Sequence, residues 1–226
     1  MEPAIGSAAV FILYTMINHK TGFATIVLVM AAFFVACSSE PATGQDNKDL
    51  TEAEMNLVRS MELVDAAVQN YFSVESMSMA RYYNPYTKEQ SDERGSVWMY
   101  TSAFEAVNAI LTALKTQCDS GDTEMYDKYY KKYCDLLDRL FEGLQYYKGT
   151  FNLVSYTQTR EWSVYAVDRA GAPGAANVSG ILNVYDDQQW LAREFIESYY
   201  LTGSEKFLAE AEYLAEYILD GWDLYS

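Results

Sequence analysis

The chain has 226 residues, half of them hydrophobic, and a formal net charge of −16 at pH 7. That length holds one domain with a sizeable core and hardly two. The charge excludes a phosphate-backbone ligand and disfavours anionic headgroups, so a neutral polysaccharide, or no charged partner at all, fits better.

Residues 1–15 contain no Lys or Arg, whereas Met16-Ile17-Asn18-His19-Lys20 supplies a weakly basic start that makes Met16 a plausible true beginning. The run Gly22–Ala36 is nearly all apolar and stops at Cys37. A short apolar run behind a basic flank reads as the core of an export signal, too short for a comfortable membrane span. Phe34-Val35-Ala36-Cys37 is similar to a bacterial lipobox, which implies a leader over 1–36 and lipidation of Cys37. A single N-terminal membrane anchor is the alternative, and both place the remainder outside the cytoplasm. Residues 37–49, rich in Ser, Gly, Asp and Asn, read as a flexible tether. With Cys37 lipidated, Cys118 and Cys134 remain; an oxidising compartment permits a bridge and spacing alone does not decide it, with two unpaired core thiols the favoured reading.

From residue 50 the pattern is helical. Thr51-Glu52-Ala53-Glu54 forms a capping box ahead of Leu57, Met61, Val64, Val68 and Tyr71. A second helix carries Tyr100, Phe104, Val107, Leu111 and Leu114, and a third Tyr126, Tyr130, Tyr133, Leu137, Leu140 and Leu144. A fourth starts near Asp186 and continues through Leu191, Phe195 and Tyr199; the fifth holds Phe207, Ala211, Leu214 and Ile218. Ser120-Gly121-Asp122 and Thr202-Gly203-Ser204 link successive helices, each with a glycine to end one helix and Asp or Ser to cap the next. No comparable segment alternates with period two. Serial helical hairpins build bundles, solenoids and toroids alike.

Between the third and fourth helices, Gly149 to Leu182 reads as a long ordered loop carrying Trp162, Tyr165, Asp168 and Arg169. It leads into Asn183-Val184-Tyr185-Asp186-Asp187-Gln188-Gln189-Trp190. Asn183 is placed to cap the helix, which puts Asp186 and Asp187 in its first turn, where the macrodipole favours negative charge. Two acids among amides and aromatics suit sugar cleavage, since retaining glycosidases use two carboxyl groups about 5 Å apart. Taken alone, two first-turn aspartates are as readily helix caps.

The wider string decides the expectation. Val164-Tyr165-Ala166-Val167-Asp168-Arg169, then Asn183 through Trp190, Leu201-Thr202-Gly203 and Leu219-Asp220-Gly221-Trp222-Asp223 together resemble glycoside hydrolase family 76, most of all its lipoprotein members in gut Bacteroidetes. The resemblance covers roughly residues 50–226. It implies an all-α fold, the helical hairpins of an (α/α)6 barrel, with about five of its helices present here. It implies endo-acting, retaining hydrolysis of α-1,6-mannan, with Asp186 as nucleophile and Asp187 as general acid/base. Tyr185, Gln188, Trp162, Tyr165 and Asp168 become candidates for holding the sugar. No metal or organic cofactor and no nucleic acid is expected. The implied location is the outer membrane or surface of a Gram-negative bacterium, held by lipid at Cys37.

Five amphipathic helices leave apolar stripes without later partners, so the chain alone is expected to associate and to lack mannanase activity. The alternative from another class is a non-catalytic glycan-binding lipoprotein, in which tyrosines and Trp162 stack on sugars and the aspartates are caps. A different (α/α) barrel enzyme, acting on another sugar, is the third.

Overall fold

A computed structural model of the chain describes residues 50–221 apart from Ser155. The leader, Cys37, the tether, Trp222 and Asp223 lie outside the described residues. Two units divide the chain between Arg59 and Ser60. In the first, the capping box forms as expected: Thr51 N–H donates to Glu54 Oε2 at 2.6 Å, and Glu54 N–H to Thr51 Oγ1 at 3.3 Å. The helix that it starts, α1, covers Glu52–Tyr71.

The second unit carries two helical hairpins. The first joins α2 (Val97–Asp119) to α3 (Glu124–Leu144), and the second joins α4 (Tyr185–Thr202) to α5 (Glu205–Asp220). Helices α2 and α4 pack against each other and so connect the hairpins. The apolar positions spaced by threes and fours are the ones that bury: Tyr100, Phe104, Val107, Leu111 and Leu114 on α2 are fully covered. Phe195 on α4 is the centre of the aromatic core. Its ring lies 5.5 Å from Phe104, 5.6 Å from Phe141 and 6.1 Å from Phe207, which belong to three other helices. Such edge-on and offset contacts add to the area the rings bury.

The links behave as expected at their glycines only. Gly203 has φ +69° and donates to Tyr199 O at 2.7 Å, and Gly121 has φ +97°. Both values are left-handed, where a side chain is strained. The expected caps from the next residue do not form in the same way: Ser204 makes no side-chain cap bond, and Asp122 only accepts from Glu124 N–H at 3.3 Å.

The long loop expected over Gly149–Leu182 is corrected. Its first half is a β-hairpin. A short β1–β2 ribbon (Tyr83–Asn84, Glu89–Gln90) precedes α2, and the larger pair is β3 (Lys148–Val154) with β4 (Thr159–Tyr165). The β3–β4 pair is antiparallel in the register Lys148 opposite Tyr165 through Val154 opposite Thr159. The hairpin settles on α5: the Trp162 ring stands edge-on to Tyr213 at 5.1 Å and to Tyr217 at 5.5 Å. After β4 the backbone is irregular, yet its amides are used. Ala166, Ala170, Gly174 and Ala176 donate to the carbonyls of Tyr147, Tyr146, Gln145 and Lys148 in turn. Arg169 lies 3.8 Å from the Tyr146 ring centre and donates to Ser76 O. Only Ala166 of the four donors is buried; the other three bonds tie a partly exposed segment to β3 and to the turn Gln145–Tyr147 before it.

Cys118 and Cys134 are free and half-buried, as read from the sequence. Among the described residues no helix is long and apolar enough to cross a membrane.

Candidate active site at the start of helix α4

Helix α4 begins at Tyr185, preceded by Val184 in an extended conformation. The start is not capped by Asn183, contrary to expectation. That amide instead donates to Tyr217 Oη at 2.8 Å, reaching α5 rather than its own helix. The first turn is therefore fixed by long-range contacts, and Asp186 supplies the local one: its Oδ1 accepts from Asp187 N–H at 3.1 Å. A carboxylate held on a first-turn amide is where the helix dipole favours charge.

The two aspartates sit in opposite environments. Asp186 is exposed, whereas Asp187 is 6% exposed. Burial, and then the neighbouring Asp186 charge, push the Asp187 carboxyl up to about 6. Taking an ionised carboxylate out of water favours its protonated form, and a second negative charge next to it acts in the same direction.

The neighbours of the pair divide into packing and surface groups. Gln188 is fully buried, and its amide pairs with both backbone groups of one residue. Its Nε2 donates to Tyr165 O at 2.7 Å while its Oε1 accepts from Tyr165 N–H at 3.1 Å. It substitutes for a strand neighbour at the end of β4 and ties the site helix to the hairpin. Tyr165 is fully buried too, and its hydroxyl donates to Glu210 Oε1 at 2.8 Å, where Lys148 Nζ also arrives at 2.6 Å. Trp162 is covered, its Nε1–H donating to Asp220 Oδ2 at 2.8 Å. Of the five residues expected to hold a sugar, then, Trp162, Tyr165 and Gln188 are core and support the site from behind. Tyr185 is half-buried, its ring stacked on Tyr217 at 4.9 Å and 17°. Asp168 is exposed on the irregular segment after β4.

Sequence reasoning missed Tyr217, Glu210 and a buried polar cluster deeper along α4. Asn108 Nδ2 donates to the backbone and side-chain oxygens of Glu194, both at 3.0 Å, and Ser198 Oγ donates to Asn108 Oδ1 at 3.0 Å. Arg193 pairs with Glu194 at 2.9 Å, and its guanidinium lies 4.0 Å from the Trp190 ring centre. The available signal was periodic: Glu194 and Ser198 follow Leu191 at helical spacing, so polar groups interrupt an apolar stripe. Among the described residues, no group of three or more His, Cys, Asp or Glu could hold a metal ion.

The fold resembles that of solved glycoside hydrolases. The likeness is to family 76. The chain is similar to a family 76 glycoside hydrolase (mannosidase) from Bacteroides thetaiotaomicron, with 17% identity, TM-score 0.49, and 73% of this chain matched to 37% of that one. It is similar also to a family 76 glycoside hydrolase from a bovine Bacteroides thetaiotaomicron strain, with 18% identity, TM-score 0.49, and coverage of 74% and 29%. The chain spans well under half the length of either. At these identities the likeness is one of fold. No protein-family model and no curated protein sequence matches the chain.

Proposed function

We propose that the chain carries the catalytic aspartates of a retaining, endo-acting glycoside hydrolase that cleaves α-1,6-mannosidic bonds. The observation that carries the reading is the asymmetry of the pair: Asp186 in water, Asp187 buried and raised to about 6. Two carboxyl groups whose surroundings separate their protonation divide acid from nucleophile. The linkage and the sugar come from the resemblance of the Tyr185-Asp186-Asp187 segment and its flanking motifs to family 76.

In this reading an Asp186 oxygen attacks the anomeric carbon while the glycosidic C–O bond breaks. The Asp187 proton goes to the departing oxygen, leaving a glycosyl ester on Asp186 and a carboxylate on Asp187. That carboxylate then takes a proton from water as the water oxygen attacks the same carbon and releases Asp186. Asp168, which reaches the surface, is the sugar contact, and Tyr185, whose hydroxyl is buried, supports the pair through its stack on Tyr217. We place the protein outside the cytoplasm, anchored by lipid at Cys37 of the leader.

The test is incubation with unbranched α-1,6-mannan, followed by product sizing. Wild type is expected to release short oligosaccharides. Asp186→Asn should accumulate no ester, and Asp187→Asn should lose most with poor leaving groups, where protonation matters most. Retention of mannan binding without turnover in wild type and in the Asp186→Asn/Asp187→Asn double variant alike would mark a glycan-binding protein and overturn the enzyme.

A further inference from the structure

The Leu219-Asp220-Gly221 string at the end of α5 has no role in the chemistry above, yet it touches both elements that flank the aspartate pair. We infer that Asp220 and Gly221 form a positioning device for Asp186 and Asp187, with Asp220 clamping the hairpin through Trp162 and Gly221 leaving the space in which Tyr185 lies. The inference rests on the proposed role of the pair for its functional meaning, but its geometry stands apart from it.

Tyr185 is the first residue of α4, adjacent to the pair, so the placement of its ring sets the direction of the first turn. One face lies on Tyr217. The rim lies against Gly221: a Cβ added there would meet Tyr185 Cζ and Oη at 2.5 Å and Cε1 at 2.7 Å. Gly221 has φ −64° and ψ −16°, ordinary helical values open to any residue. Glycine is therefore needed here for space and not for backbone freedom. Any side chain would push the Tyr185 ring off Tyr217 or push the helix end away from α4.

One residue earlier, Asp220 accepts from Trp162 Nε1–H on Oδ2 at 2.8 Å and from Gln158 Nε2 on Oδ1 at 2.9 Å. Trp162 in turn stands edge-on to Tyr217, the ring that supports Tyr185. Hairpin, helix end and site helix thus meet at Tyr217, and two consecutive residues fix the outer sides of that stack. A residue of this kind acts through its neighbour; in a catalytic site, a misplacement of about 1 Å from a remote change can cost about a hundredfold in rate.

The test follows Asp187 in the full chain by carbon-13 carboxyl titration, with the resonance assigned against Asp187→Asn. Wild type is expected to titrate near 6. Gly221→Ala is expected to lower that midpoint by about one pH unit, because a carboxyl already almost fully covered can only gain water when its turn moves. Where mannan is turned over, kcat should fall about tenfold with KM little changed, the mark of lost transition-state alignment. Adding Gly221→Ala to Tyr185→Leu, which removes the obstructing ring atoms, should change nothing further. An unchanged Asp187 midpoint in Gly221→Ala overturns the inference. Should Gly221→Ala fail to fold, the double variant decides: recovery of the melting of Tyr185→Leu alone supports the device, and continued failure overturns it. Asp220→Leu probes the other arm. A Trp162 indole resonance that moves while the Asp187 midpoint stays removes Asp220 from the device. If wild type leaves mannan intact while Gly221→Ala still shifts Asp187, the reaction is wrong and the positioning holds.

Discussion

Asp187 makes a claim about stability as well as chemistry. Its folded midpoint of about 6 lies above the unfolded value of about 4, so between these the folded chain holds a proton that the unfolded chain has lost. Stability therefore declines as pH rises through that window and stays lower above it. Asp187→Asn removes the cost. It is expected to raise unfolding stability by about 1–3 kcal/mol at pH 8 and to change it little at pH 4. Urea melts at the two pH values check this, and an equal effect at both would contradict a buried, raised carboxyl. If Asp187 is the acid, kcat/KM should also decline above about pH 6 as the proton is lost. The sequence located this residue, and the family resemblance implied the acid's role for it, but nothing in the string told its burial from that of Asp186. Adjacent letters carry no burial, and the asymmetry arises from how α4 meets its neighbours.

Between elements, the joint most exposed to a single substitution is Gln188. Leucine at that position fills similar space but leaves the Tyr165 N–H and C=O buried without partners. Gln188→Leu is expected to cost about 2–4 kcal/mol, more than the loss of one ordinary hydrogen bond. Chemical denaturation measures it, and a loss below about 1 kcal/mol would mean that water replaces the amide. The helices were legible because Tyr100, Phe104, Val107, Leu111 and Leu114 repeat at threes and fours and all bury. The β3–β4 hairpin was not, for a physical reason. On β4 the buried residues are Trp162, Val164 and then Tyr165, so the alternation breaks at its last step, and on β3 only Gly149 is fully covered. Phe151 and Leu153 do alternate with Thr150 and Asn152 on β3, but they are only half-buried, and so short a period-two run is faint beside the helices. Asn183 failed as a cap because its amide is used on Tyr217, a partner 34 residues away that no local window includes.

At the scale of the whole chain, the reading of an exported lipoprotein rests on residues ahead of the described fold. Labelled fatty acid should enter the wild-type protein and be lost in Cys37→Ala, and equal labelling of both would end the lipobox reading. The resemblance to family 76 lies in four separated strings rather than in the helical pattern, which bundles, solenoids and toroids share. The hairpin that the pattern concealed has one more consequence. Its seven rungs run from a buried end at Tyr165 to an exposed end at Val154, which is 57% exposed. Opening should therefore travel inward from the tip. In deuterium exchange, amides of 152–154 and 159–161 should label early and those of 162–166 late, a graded clock along one ribbon. Uniform labelling would show that the hairpin detaches from α5 as a single piece.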